Sequence, residues 1–295
     1  MSTHTNSAVA ATSFKGSGAR KKRRTPEDGG HPAWGIAAWA VGLLFAAPVL
    51  FMLLTSFHSE TDAATNPPSV LAPLTLDGYR SFFAGQPWPP LINSLTASVV
   101  STLLVLVLAV PAAYALSIKP VEKWTDVLFF FLSTKFLPIV AGLLPLYLFA
   151  NSIGVLDNIT FLILLYTSMN LPIAVWMMRS FLAEVPVEMM EAAQLDGAGL
   201  ITMLRSVVAP VALPGIAATS LICFIFSWNE LLLARTLTST VASTSPVFLT
   251  SFATSQGLFL AQVCAAAVVI SLPVLAAGFA AQDKLVQGLS LGAVK

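Results

Sequence analysis

VPVEMMEAAQLDGAGLITMLRSVVAPVALP, residues Val185–Pro214, is a polar interruption between two long apolar runs. Pro186 suits the first helical position, where a missing N–H costs nothing. Glu188 and Glu191 then stand near the positive end of the helix dipole. Gly197 can close the helix in a left-handed cap, and a second short helix over Leu200–Val208 follows. Two such helices, with small Ala192 and Ala193 on the surface, make a knob that another protein can grip. Spacing alone equally permits an ordinary loop between two membrane helices.

Outward from this stretch, composition fixes the class. The chain has 295 residues, is 56% hydrophobic and 10% charged, and has a mean hydropathy of +0.82. A soluble domain carries about 25% charged residues, so this is an all-α polytopic membrane protein. Six segments have the roughly 20 residues that a hydrocarbon core requires: Trp34–Phe57, Leu91–Ile118, Val127–Ala150, Ile159–Met178, Leu213–Leu233 and Leu258–Ala281. The first is longer than a signal-peptide core of about 7–15 residues and is expected to stay uncleaved. Pro48, Pro111, Pro138, Pro145, Pro172, Pro214 and Pro273 fall in or beside these spans; bundles tolerate such prolines, which mark kinks. Cys223 and Cys264 lie in apolar segments and read as small buried hydrophobes, not as a disulfide or a metal site.

Residues 1–33 read as a disordered tail carrying Arg20-Lys21-Lys22-Arg23-Arg24. Placed before a membrane helix, that cluster suits anionic lipid headgroups and orientation better than nucleic acid. With the N-terminus inside, twelve Lys and Arg residues fall on the cytoplasmic side, and only Arg80 and Arg235 fall outside. The expectation is therefore N-in and C-in, with Val185–Pro214 in the cytoplasm. The outer loops are then His58–Pro90, Asn151–Asn158 and Ala234–Gly257, the first an ordered cap.

No enzyme constellation is present: no His-Glu-x-x-His, no Gly-x-Ser-x-Gly and no phosphate-binding loop with Lys. His4, His31 and His58 all lie outside the spans. Intramembrane charges cost at least about 2.5–3.5 kcal/mol at the bilayer centre and usually face a cavity or a partner. Lys135, in the third span, and Glu230, near the outer end of the fifth, are such charges. Lys135 can snorkel to the interface, and Glu230 can cap a helix end near Arg235. Alternatively both line a hydrophilic pathway, with Trp228 stacking on and Asn229 hydrogen-bonding a polyhydroxy solute.

Glu191-Ala192-Ala193, three residues, Gly197, nine residues, then Val207-Val208-Ala209-Pro210 resembles the EAA loop of ABC importer permeases, with Val207 and Ala209 as mild departures from its Ile and Leu. Phe136-Leu137-Pro138, Leu144-Pro145-Leu146-Tyr147, Ile153-Gly154-Val155-Leu156-Asp157, Asp196-Gly197-Ala198, Pro214-Gly215, Ser227-Trp228-Asn229-Glu230 and the C-terminal Gly288–Lys295 narrow the likeness. Over residues 34–295 the chain is similar to the second permease of carbohydrate importers of the maltose, polyol, glycerol-phosphate and trehalose kind.

That resemblance implies a type I importer permease domain over 34–295, with the EAA coupling loop at 185–210. It implies that Glu188, Glu191, Ala192, Ala193, Asp196 and Gly197 dock on a separate ATP-binding subunit, with Glu191 as polar anchor. It implies a second homologous permease, a dimer of ATP-binding subunits that holds ATP and Mg, and an extracytoplasmic solute-binding protein. The chain itself is expected to hold no cofactor or metal, to catalyse no reaction, and to lie in the bacterial plasma membrane. Its Gly288–Lys295 tail would reach the ATPase. An ion-coupled secondary transporter is the competing reading; it more often shows inverted repeats, and none is clear here.

Overall fold

The computed structural model describes residues 32–65, 69–118, 121–136, 138–254 and 257–292. The basic cluster Arg20–Arg24, Lys119 and the end of the C-terminal tail lie outside them. Two compact units divide at Pro48/Val49, and all packing described below lies within the second.

In chain order the helices are α1 (Pro32–Thr55), α2 (Glu60–Ala63), α3 (Asp77–Ala84), α4 (Trp88–Ser117), α5 (Trp124–Ser133, prolonged by a 3-10 turn at Thr134–Phe136), α6 (Ile139–Ser152), α7 (Ile159–Leu182) and α8 (Val187–Leu195). They continue as α9 (Leu200–Val211, with a π-helical turn at Met203–Val208), α10 (Leu213–Trp228), α11 (Leu232–Leu237), α12 (Ser245–Leu249) and α13 (Leu260–Gly292). One short antiparallel ladder pairs Ala253–Thr254 with Gly257–Leu258.

Four helices, α1, α4, α7 and α13, are long and apolar enough to cross a membrane, and six spans result if each of two bent pairs counts as one. Within the third span expected at Val127–Ala150 the helix is broken. The chain bends by 85° between Trp124–Phe136 and Ile139–Ser152. Pro138 is the physical cause: it lacks an N–H and cannot continue a helix running into it. The fifth span is shorter than expected. It starts after an 83° bend from α9 and its helix stops at Trp228, not Leu233. Pro214 falls in the first turn of α10, where its ring is tolerated. The last helix runs on to Gly292, well past Ala281.

The core is built on α4 packed along α7, with α10 against both and α13 against α10. The inward face of α4 repeats small residues at helical spacing, Ser94, Ala97, Ser98, Ser101, Val105, Ala109 and Ala113, all buried. Small side chains let membrane helices approach closely. Its opposite face exposes Leu103, Val107 and Leu108, as a lipid-facing surface requires. A polar seam crosses the same core. Ser101 Oγ lies 3.1 Å from Ser227 Oγ, and Asn170 Nδ2 donates to Ser227 Oγ at 2.9 Å, joining α4, α7 and α10. Without water, polar groups at this depth must find partners within the protein. Cys223 and Cys264 are buried and unpaired.

The segment between α1 and α4 is ordered by α13. Gly78 on α3 packs so closely that a Cβ would lie 3.0 Å from the carbonyl oxygen of Ala261. Phe82 is fully buried beside Phe248 and Phe252.

Candidate functional site

Two faces carry the functional candidates. At the end expected to be cytoplasmic, α8 begins one residue later than the sequence suggests. Pro186 is the N-cap, with φ −60° and an extended ψ of 132°, so Val187 opens the helix and Glu188 falls in its first turn. The stop falls where the sequence puts it. Gly197 takes φ +80°. Its N–H donates to the Gln194 carbonyl at 3.0 Å, and the Ala198 N–H donates to the Ala193 carbonyl at 2.9 Å. This paired closure is a Schellman motif, which needs a left-handed residue at Gly197.

Helix α8 is seated on the core through Met190. Met190 is buried with Val185, Met203 and Val208 in the cluster that holds Met178 and Leu182 of α7. The rest of the stretch faces out: Glu188, Glu191, Ala192 and Asp196 are exposed, and Ala193 is half-buried. Leu195 is 89% exposed and Ile201 79%, with Leu200 beside them. These apolar tips were not picked out from the sequence. Their signal was available as three large apolar residues flanking Gly197 in a loop that has no core of its own. At the base of the loop the Phe181 ring lies against the backbone of Gly215, where a Cβ would meet the ring Cδ2 at 2.6 Å. Arg179 stacks over the Trp124 ring at 3.8 Å, bracing the start of α5 against the end of α7.

At the other end the four candidate pathway residues separate. Lys135 is exposed, in the 3-10 turn at the break of the third span. Trp228 is packed, not presented: it is 2% exposed, stacks on Phe224 with ring centroids 5.8 Å apart, and donates its indole N–H to the Ile270 carbonyl at 3.2 Å. Asn229 is exposed at the end of α10, its amide on the Ile225 carbonyl at 2.9 Å. Glu230 caps α11. Its Oε1 accepts from the Leu233 N–H at 2.9 Å and its Oε2 from the Ala234 N–H at 3.1 Å. The structure brings Trp228, Asn229 and Glu230 to one helix break, and no ion pair joins Lys135 to Glu230 among the described residues.

Two further carboxylates at this face behave like Glu230. Glu60 accepts from the Gln262 N–H at 2.8 Å and the Ala261 N–H at 3.1 Å, capping α13. Asp157 accepts from the backbone N–H groups of Ser239, Thr240, Val241 and Ala242 at 2.8–3.0 Å. No cluster of three or more His, Cys, Asp or Glu side chains suited to a metal occurs among the described residues. A lateral groove of about 450 Å³ lies between Val99, Leu103, Leu106, Ala217, Leu221 and Ala280. Its apolar walls suit lipid or another helix, not a hydroxylated solute.

Residues 37–290 match the family model described as binding-protein-dependent transport system inner membrane component. A probable ABC transporter permease protein of Sinorhizobium fredii is 35% identical over 263 residues, covering 89% of this chain and 95% of that protein. A trehalose transport system permease protein of Mycobacterium tuberculosis is 32% identical, covering 84% and 92%. A diacetylchitobiose uptake system permease protein of Streptomyces coelicolor is 31% identical, covering 86% and 93%. Among solved structures, a chain of a bacterial ABC transporter involved in import of the acidic polysaccharide alginate has the same fold, with a TM-score of 0.70 at 22% identity over 86% of this chain and 97% of that one. The chain belongs to the family of inner membrane permease components of binding-protein-dependent ABC importers, multi-pass proteins of the bacterial plasma membrane.

Proposed function

We propose that this chain is one of a pair of permeases in an ATP-driven importer of a sugar or polyol. It forms half of the translocation pathway and receives the work of ATP through α8 and the loop around Gly197. The observation that carries this reading is the combination at that loop: Glu188, Glu191 and Asp196 exposed beside exposed Leu195, Leu200 and Ile201. The loop is held on the core by buried Val185, Met190, Met203 and Val208. Acidic and apolar tips together suit a cleft on a protein partner, where aliphatic anchors supply affinity and charges fix register. The Lys/Arg distribution supports a cytoplasmic position for this face, with both termini on the same side.

The partners are then a second homologous permease, two ATP-binding subunits that hold ATP and Mg, and a solute-binding protein outside; surrounding lipid completes the environment. Closure of the ATP-binding subunits moves α8, and α9, joined to α10 through an 83° bend, passes the movement on. The carbohydrate class rests on the relatives named for trehalose and diacetylchitobiose. Asn229 and Lys135, exposed at breaks in their spans, are the pathway groups best placed to meet hydroxyls. Trp228 acts from behind, as packing.

Two loop variants test the coupling role. Glu191→Arg reverses the charge on the docking face, and Gly197→Asp puts a charged side chain at its left-handed closing turn. Each should lower copurification of the ATP-binding subunits about fivefold or more, with membrane insertion unchanged. Normal copurification with both variants sinks the docking assignment. Solute movement down an ion gradient by this chain alone in proteoliposomes would favour a secondary transporter instead.

A further inference from the structure

The turn between α6 and α7 does more than join two helices. Asp157 takes φ +54°, a left-handed conformation that Asp tolerates better than most side chains, three residues after Gly154 at φ +70°. That conformation turns both its backbone and its side chain onto the segment after α11. The Asp157 N–H donates to the Leu237 carbonyl at 2.8 Å. Its Oδ1 accepts from Ser239 and Ala242 N–H, both at 2.8 Å, and its Oδ2 from Thr240 and Val241 N–H, both at 3.0 Å. The Thr240 hydroxyl adds a longer contact at 3.4 Å.

The carbonyl side of the same loop is held from α4. Asn93 Nδ2 donates to the Val241 carbonyl at 2.8 Å and to the Ser243 carbonyl at 2.9 Å. Ser94 Oγ accepts from the Ser245 N–H at 2.7 Å. Ser239 and Thr240 point to solvent, and Val241 is 74% exposed. The shape of the loop therefore comes from two side chains on other elements, Asp157 and Asn93, and not from a core beneath its tip.

We propose that Asp157 is a positioning residue for solute delivery: by stapling Ser239–Ala242 to the α6–α7 turn, it presents Thr240 and Val241 in one fixed shape to the extracytoplasmic solute-binding protein. The proposal rests on the importer reading given above. A loop already in its bound shape loses no ordering entropy on docking, so its rigidity appears directly as affinity. The staple is permanent and not a pH switch. Burial alone would push the Asp157 carboxyl up, but the N–H groups of Ser239, Val241, Ala242 and Thr240 outweigh it and hold it down to about 2. It is ionised at every physiological pH.

The test uses the assembled complex, Mg-ATP, and rising concentrations of the solute-binding protein from the same host. Asp157→Asn replaces an acceptor by an NH2 group that faces backbone donors. It should raise the half-maximal stimulating concentration about tenfold, while basal ATP hydrolysis and the maximal stimulated rate stay within about twofold. Hydrogen exchange at the amides of 239–242 should accelerate in parallel. Asn93→Ala, which frees the loop from the other side, should move the half-maximal concentration in the same direction by about threefold, and it carries the test if Asp157→Asn fails to accumulate. Faster exchange with an unchanged half-maximal concentration overturns the proposal, as does a basal rate that falls in step with the stimulated one. If the unsubstituted complex shows no stimulation at all, the importer reading falls first and this one with it.

Discussion

The two polar faces of this molecule use the same side chain in opposite ways. At the face bearing the α6–α7 turn, Glu60, Asp157 and Glu230 each accept at least two backbone N–H groups from a segment that lacks its own acceptors. At the face bearing α8, Glu188, Glu191 and Asp196 stand in solvent, and the sole ion pair among the described residues, Arg80 with Asp77, lies elsewhere. The first set holds irregular backbone together where helices start and stop. A helix begun without partners leaves N–H groups orphaned, and near a membrane water is a poor substitute. The second set costs little in water and leaves its charge available. One face thus spends its carboxylates on its own backbone, while the other leaves them to solvent.

The largest expected effect breaks the first face. Glu230→Ala leaves the N–H groups of Leu233 and Ala234 unsatisfied in a region where both residues are buried. Each such orphan costs about 1–3 kcal/mol. The thermal midpoint of the purified complex should drop by several degrees, and an unchanged midpoint would mean that water replaces the carboxylate at no cost. Smaller effects are expected at the second face. Glu188→Gln together with Glu191→Gln should change stability by less than about 0.5 kcal/mol, as surface substitutions do, while retention of the ATP-binding subunits falls. A matching loss of thermal stability would show that these acids are structural after all.

The smallest effect is an expected constancy. The Asp157 carboxyl is held down to about 2, below the unfolded value of about 3.9. A depressed folded value contributes stability that is complete above the unfolded one and is lost as pH falls through the folded one. Amide protection at 239–242, corrected for intrinsic exchange, should therefore be equal at pH 7 and pH 5. Loss of protection already at pH 5 would remove Asp157 from the account of that loop.

Much of the local structure of Val185–Pro214 was legible in the sequence. Gly197 at the stop of a short helix is a local demand: only a residue without Cβ takes φ +80° cheaply in a Schellman closure. Glu188 and Glu191 on an exposed helix were equally local. The start of that helix was missed by one residue because Pro186 fits both an N-cap and a first-turn position, and spacing does not choose between them. For Trp228 the pathway reading asks for a presented ring, and the ring is packed. A Trp next to Asn and Glu at a span end looks available in sequence, but Phe224 and the Ile270 carbonyl, on its own helix and on the last one, bury it. For Glu230 both readings were open, and only the fold of Leu232–Leu237 puts two N–H groups in front of its carboxylate.

The sequence by itself determined that this is a helical membrane protein, and that short helices closed at Gly197 interrupt its apolar runs. Those properties follow from runs of apolar residues and from single Pro and Gly positions, which act over a few residues of chain. Tertiary structure alone decided that Trp228 packs against Phe224 and donates to the Ile270 carbonyl. It also decided that Glu60 caps a helix two hundred residues away, and that Asp157 closes on a loop some eighty residues later. These depend on which donors are brought within about 3 Å of an acceptor, and no local pattern encodes that encounter.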